Sequence, residues 1–77
     1  MSNTAVVVVL TNDGRWGKGF DFGSAIQRAE VKRGTLVYAK VIIVKRKEDY
    51  DAVNVTGYGG IEYPHDAESY SLGSFMQ

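Results

Sequence analysis

Residues Asn12 to Ser24 read NDGRWGKGFDFGS, four glycines in thirteen residues, and the architecture turns on what they form. Two structures compete for the stretch: a glycine-rich loop that cradles a phosphate, or the turn and second strand of a hairpin feeding a helix. Gly17 to Gly23 has the spacing G-x-G-x-x-x-G, one residue longer than the dinucleotide fingerprint, and it lacks the G-K-[ST] ending of a P-loop. Its aromatics alternate, as on a strand, where a phosphate loop carries small residues. Asn12-Asp13-Gly14 is a hairpin signal, because glycine supplies the positive φ of a tight turn. We read a hairpin.

Two registers fit it. A two-residue Asp-Gly loop pairs Thr11 with Trp16; a three-residue Asn-Asp-Gly loop with a glycine bulge pairs Leu10 with Trp16. The choice flips every side chain to the other face. In either register Trp16, Lys18, Phe20 and Phe22 are expected on one side, with the three aromatic rings as core residues, and Gly17 and Gly19 leave a valine-lined surface bare. Another element, a second subunit or a partner must come close to the backbone there.

Upstream, Ala5 to Thr11 is apolar on both faces, as in an interior strand. Downstream, Asp21 or Ser24 can cap a helix of about 9–11 residues, and Ser24 with Gln27 has capping-box spacing. Phe22, Ala25, Ile26 and Ala29 fall on its sheet-facing side, and Gly34 is its expected stop. Thr35 to Arg46 is the longest strand candidate, with Val37, Ala39, Val41 and Ile43 on one face and Leu36, Tyr38, Lys40, Ile42 and Val44 on the other. Lys47-Glu48-Asp49 is expected to turn the chain, Tyr50 to Thr56 to form a half-exposed strand, and Ile61 to Tyr63 a short strand ended by Pro64. The order β-β-α-β-β predicts an α+β fold: a small antiparallel or mixed sheet of four to five strands with one short helix. Residues 1–64 form the expected domain, and 65–77 a tail or an edge strand through Tyr70 and Leu72.

Seventy-seven residues without cysteine, and with a single histidine, exclude disulfides and a Cys/His zinc site, so packing must supply the stability. The apolar run Ala5 to Leu10 is far short of the roughly 20 residues a membrane helix needs and has no basic residue before it, which makes cytoplasmic residence the expectation. Nine Lys and Arg balance nine Asp and Glu, but unevenly: residues 14–47 hold all nine bases against two acids, a net +7, and residues 48–77 hold six acids and no Lys or Arg. We read the acidic end as folding against the basic middle. A nucleic-acid surface with an acidic tail is the alternative.

No constellation here carries catalysis. His65-Asp66 is the one histidine–carboxylate neighbour pair, and it follows a proline in a polar segment with no nucleophile assigned to it. Glu48, Asp49 and Asp51 lack EF-hand spacing and read as a solvated turn that compensates Lys45, Arg46 and Lys47. We therefore expect no enzyme, no cofactor and no metal. The basic residues Arg15, Lys18, Lys40, Lys45, Arg46 and Lys47, interleaved with Trp16, Phe20 and Tyr38, resemble in flavour the stacking surfaces of single-strand binders, although RWGKGFDF does not follow the RRM motif order. The acidic set Glu48, Asp49, Tyr50, Asp51, Tyr58, Glu62 and Tyr63 combines charge with tyrosines, which anchor interfaces with few rotatable bonds.

Over residues 4–46 the order hairpin, short helix, long strand resembles the layout of very small bacteriophage-encoded proteins that bind and inhibit a host enzyme, among them inhibitors of bacterial RNA polymerase. The resemblance implies a non-enzymatic protein-binding module, an inhibitor or accessory factor acting by direct contact on a host enzyme or nucleic-acid-binding protein. Homodimerisation through an apolar sheet surface is a further expectation, and nucleic-acid binding is the alternative function.

Overall fold

The turn at Asn12–Gly14 joins β1 (Thr4–Thr11) to β2 (Trp16–Gly19) in the computed structural model, which describes residues 3–57 and 59–76. Leu10 pairs with Trp16 and Val8 with Lys18, so the loop has three residues, and Gly14 at φ +92° supplies the left-handed position that closes it. Thr11 fixes the corner. Its hydroxyl donates to Asp13 Oδ1 and accepts from the Arg15 amide at 2.8 Å, which satisfies the buried polar residue of the strand.

Among the described residues the remaining elements are α1 (Phe22–Ala29), β3 (Leu36–Val44), a 3₁₀ helix (Lys47–Ala52), β4 (Asn54–Val55), β5 (Ile61–Glu62) and β6 (Glu68–Met76). The main sheet runs β2-β1-β3-β6, and β4-β5 form a separate two-stranded ribbon. Every pairing is antiparallel. This makes an α+β fold of the class expected, with the fourth and fifth predicted strands reduced to the ribbon and the last strand taking the sheet edge. β2 and β3 both run against β1 and hence parallel to each other, so their connection must cross the sheet; α1 makes that crossing.

The helix is shorter than its sequence pattern suggests. Asp21 is the N-cap and accepts from the Ser24 amide at 2.7 Å, which satisfies a free helix-end N–H. At the other end Glu30 adopts the left-handed conformation, φ 52°, and its N–H bonds to Gln27 O. The helix stops there, four residues before Gly34. Arg15 Nη1 donates to the Glu30 carbonyl at 2.7 Å and so ties the hairpin corner to the helix end.

Gly17 and Gly19 are where α1 meets the sheet. A Cβ on Gly17 would stand 2.4 Å from the Ala29 nitrogen and 2.6 Å from the Ala25 oxygen, so helix backbone rests directly on strand backbone. The bare valine surface foreseen beside these glycines is covered from within the chain: Val7, Val9, Val37 and Ala39 pack with Ala25 and Ala29 into one buried cluster. Val6, Val8, Ile42, Val44 and Val53 form a second cluster on the opposite face, with Leu10, Tyr50, Val55 and Ile61 against it. The central strands β1 and β3 are thus buried on both faces, which is why their sequences read as nearly continuous β-branched runs.

Three local expectations are corrected. Trp16 and Phe20, expected in the core, are 36% and 49% exposed, because β2 is an edge strand and they lie on its side away from α1. Phe22 does not share a face with Trp16 and Phe20, because the chain enters the helix at that residue; it packs edge-on against Phe75 across the helix-side face, with ring centroids 5.4 Å apart. Lys47 to Ala52 form a 3₁₀ helix where the sequence pattern suggests a turn and the start of a strand, and the strand itself is reduced to Asn54–Val55. Three-residue periodicity puts Tyr50 and Val53 on one side of this segment, and both contribute to the second cluster.

Candidate protein-binding face

Lys18 and Tyr50 build the foundation of this face. Lys18 projects from β2 away from α1 and is half-buried. Its ammonium donates to the Tyr50 and Val53 carbonyls, each at 2.7 Å, and lies 4.4 Å from the centroid of the Tyr50 ring. A cation thereby caps the carbonyl end of the 3₁₀ helix. Burial pushes its pKa below the ordinary lysine value, partly opposed by the negative charge of Asp51. The Tyr50 hydroxyl donates to Lys18 O at 3.0 Å, Arg28 Nη1 donates to the same carbonyl at 3.0 Å, and the Phe20 ring stacks at 4.7 Å on Tyr50. Sequence reasoning set Lys18 and Tyr50 in two competing surfaces. The fold brings them together as an internal tie, and no local pattern links residues 32 apart.

The tie holds down a segment whose outer side is acidic. Glu48 and Asp51, three residues apart on the 3₁₀ helix, are both exposed and fall on one side of it. Asn54 continues the row; its side-chain amide donates to Asp51 O at 3.0 Å, and it pairs across the ribbon with the exposed Glu62. Tyr63 follows, 40% exposed. Asp49 is set apart from this row: half-buried, it pairs at 3.0 Å with Arg46, which also reaches Asp66 at 3.7 Å. That is the local charge compensation expected of this turn. Tyr58 lies outside the described residues.

The basic set is dispersed. Arg15 pairs with Asp13 at 2.8 Å, and this contact, with the Thr11 hydroxyl bond, lowers the Asp13 carboxyl from 3.8 to about 2. Lys18 is held as described and Arg46 is paired. Lys40, Lys45 and Lys47 are exposed. Trp16 and Lys18 on β2 share a sheet face with Tyr38 and Lys40 on β3, but β1 runs between them, and its Val8 and Leu10 pack with Val53, Val55 and Ile61. The ribbon therefore divides the interleaved aromatic and basic residues into two strips where one stacking platform would be needed.

Among the described residues no group of three or more His, Cys, Asp or Glu stands together as a metal site, and no helix is long and apolar enough to cross a membrane. No protein-family model, curated protein or solved structure matches this chain.

Proposed function

We propose that this chain is a small non-enzymatic protein-binding module that acts by direct contact, with Glu48, Asp51, Glu62 and Tyr63 meeting a basic surface of a partner protein. The observation that carries the reading is the single exposed row of these acids on a segment pinned to the sheet by Lys18 and Val53. Such a row attracts a positively charged surface at long range and presents an already ordered edge on contact, which limits the entropy lost on binding. A nucleic-acid-binding surface of a host enzyme, the kind of target suggested by the bacteriophage-inhibitor layout, has the complementary charge. An inhibitor or accessory factor would work there by covering the surface.

The nucleic-acid alternative draws less support, since Arg15, Lys18 and Arg46 already have internal partners. The test is affinity capture from a bacterial lysate, with and without nuclease, followed by mass spectrometry. A discrete protein should be retained after nuclease, released by salt, and lost with the triple variant Glu48→Lys, Asp51→Lys, Glu62→Lys, while Lys45→Glu/Lys47→Glu has little effect. Capture that disappears with nuclease, or that the triple variant leaves unchanged, refutes the reading.

A further inference from the structure

The sheet has two edges, and they differ. β2 is a four-residue edge, and loops follow it at both ends. β6 runs nine residues, about 30 Å of chain, along β3. Long, uncharged edges are those that proteins usually blunt with lysine, proline, a β-bulge or a covering element; of these β6 carries a bulge. Here Glu68 is the only charged residue in Glu68–Met76, and there is no proline. Tyr70, Leu72, Phe75 and Met76 are 53%, 44%, 38% and 72% exposed.

Pairing with β3 contains one irregularity. Ala39 faces Gly73 and Lys40 faces Ser71, so Leu72 is an extra residue with no partner, and Gly73 takes φ +97°. The insertion has a consequence for symmetry. Tyr70 and Phe75 are five apart, an odd spacing that would put them on opposite faces of a regular strand. With the bulge between them, Tyr70 pairs with Val41 and Phe75 with Val37, both on the helix side of the sheet. About the Leu72-Gly73 centre the flanking serines, Ser71 and Ser74, and then the aromatics, Tyr70 and Phe75, are placed symmetrically.

We propose that β6 is a self-pairing edge, through which two copies of the chain join their four-stranded sheets into one continuous antiparallel sheet, with Tyr70 against the partner's Phe75 and Ser71 against the partner's Ser74. Two observations select a second copy over an arbitrary extended peptide. The two-fold axis between Leu72 and Gly73 makes aromatic meet aromatic, a favourable cross-strand pair, and closes the assembly at two. Charge is compatible as well, because the two copies of Glu68 fall at opposite ends of the paired strands, about 30 Å apart. The four exposed apolar side chains, with the serines and backbone of the edge, give an interface on the order of 1,000 Å² over both copies, the lower bound of a specific one. The dimer is accordingly weak and concentration-dependent. This proposal is independent of the acidic face.

The test is sedimentation velocity of the full chain from about 5 to about 500 µM, where a monomer–dimer equilibrium is expected. Ser71→Glu/Ser74→Glu sets like charges opposite each other twice and should weaken the dimer about tenfold or more; Ser71→Glu/Ser74→Lys sets opposite charges there and should restore it to within about threefold. Both variants share the Ser71→Glu change beside Lys40, so a difference between them reads the contact between copies. Amide exchange in β6 of the unaltered chain should slow as concentration rises, a readout that no variant's folding can confound. A monomer at every concentration overturns the proposal, as does a dimer that the Glu/Glu variant leaves intact, or β6 exchange that is independent of concentration.

Discussion

Replacing Gly17 with alanine adds one methyl group, and the structure makes it costly. The new Cβ would lie 2.4 Å from Ala29 N, 2.6 Å from Ala25 O and 2.8 Å from the Arg28 carbonyl carbon, where ordinary van der Waals contact begins near 3.4 Å. All three atoms are helix backbone, so no rotamer change relieves the overlap, and α1 must lift by about 1 Å along its length to restore that contact distance. Lifting it opens gaps above Val7, Val9, Val37 and Ala39, which now touch Ala25 and Ala29. Overpacking of this kind costs about 1–3 kcal/mol, and the lost helix–sheet contacts bring the expected total to the upper end of that range. The lower entropy of the unfolded alanine chain returns only about 0.4–1 kcal/mol. A chain of this size has about 4–11 kcal/mol in all. With a urea dependence of about 1 kcal/mol per molar, the unfolding midpoint should fall by about 2 M. Gly57→Ala is the matched control, since its Cβ meets open space without a positive φ, and its midpoint should stay within about 0.5 M of the parent. Equal midpoints for Gly17→Ala and the parent would refute the close helix–strand approach, and with it the account of why glycines alternate on β2.

The other perturbations read separate parts of the fold. Lys18→Met keeps the stem but leaves the Tyr50 and Val53 carbonyls without their ammonium donor; a loss of about 2 kcal/mol is expected, with amide exchange rising first in residues 47–55. Glu30→Gly removes a left-handed non-glycine residue at the helix end, and the relief of about 1–2 kcal/mol, less glycine's entropic cost of about 0.5–1 kcal/mol, should raise the melting temperature by a few degrees. The hairpin corner supplies a pH dependence. Because the folded Asp13 pKa is depressed from 3.8 to about 2, its contribution is full above 3.8 and is lost as pH falls toward 2. Asp13→Asn should therefore show a smaller decrease in stability between about pH 5 and about pH 2 than the parent, measured by urea unfolding at each pH.

Much of this architecture was legible from residue order alone. The valines of β1 and the two apolar faces of β3 announced central strands, Asp21 and Ser24 were the two candidate caps of which the fold uses Asp21, and Asn12-Asp13-Gly14 narrowed the turn to two registers. What escaped was where distant segments meet. The alternation of residues 50–56 resembled a strand, but short apolar patterns fit several periods, and docking against Phe20 and Lys18 turned Tyr50 and Val53 inward on a 3₁₀ turn. The acidic row was visible as composition, while its inner and outer sides were not. Tyr50, grouped by sequence with the surface residues, is an internal anchor, and Lys18, grouped with the basic residues, holds it.

Neighbours along the chain were enough to specify the glycine at a positive φ, the side-chain cap and the period-two strands covered on both faces. Long-range packing was needed to specify that α1 fills the space left by Gly17 and Gly19, that the ribbon covers the other face, and that Glu68–Met76 becomes an edge with a bulge at Leu72. Local signals come from steric and hydrogen-bonding limits within a few residues. The remaining choices come from burying surfaces far apart in sequence, whose pairing is set by the shape of the whole core.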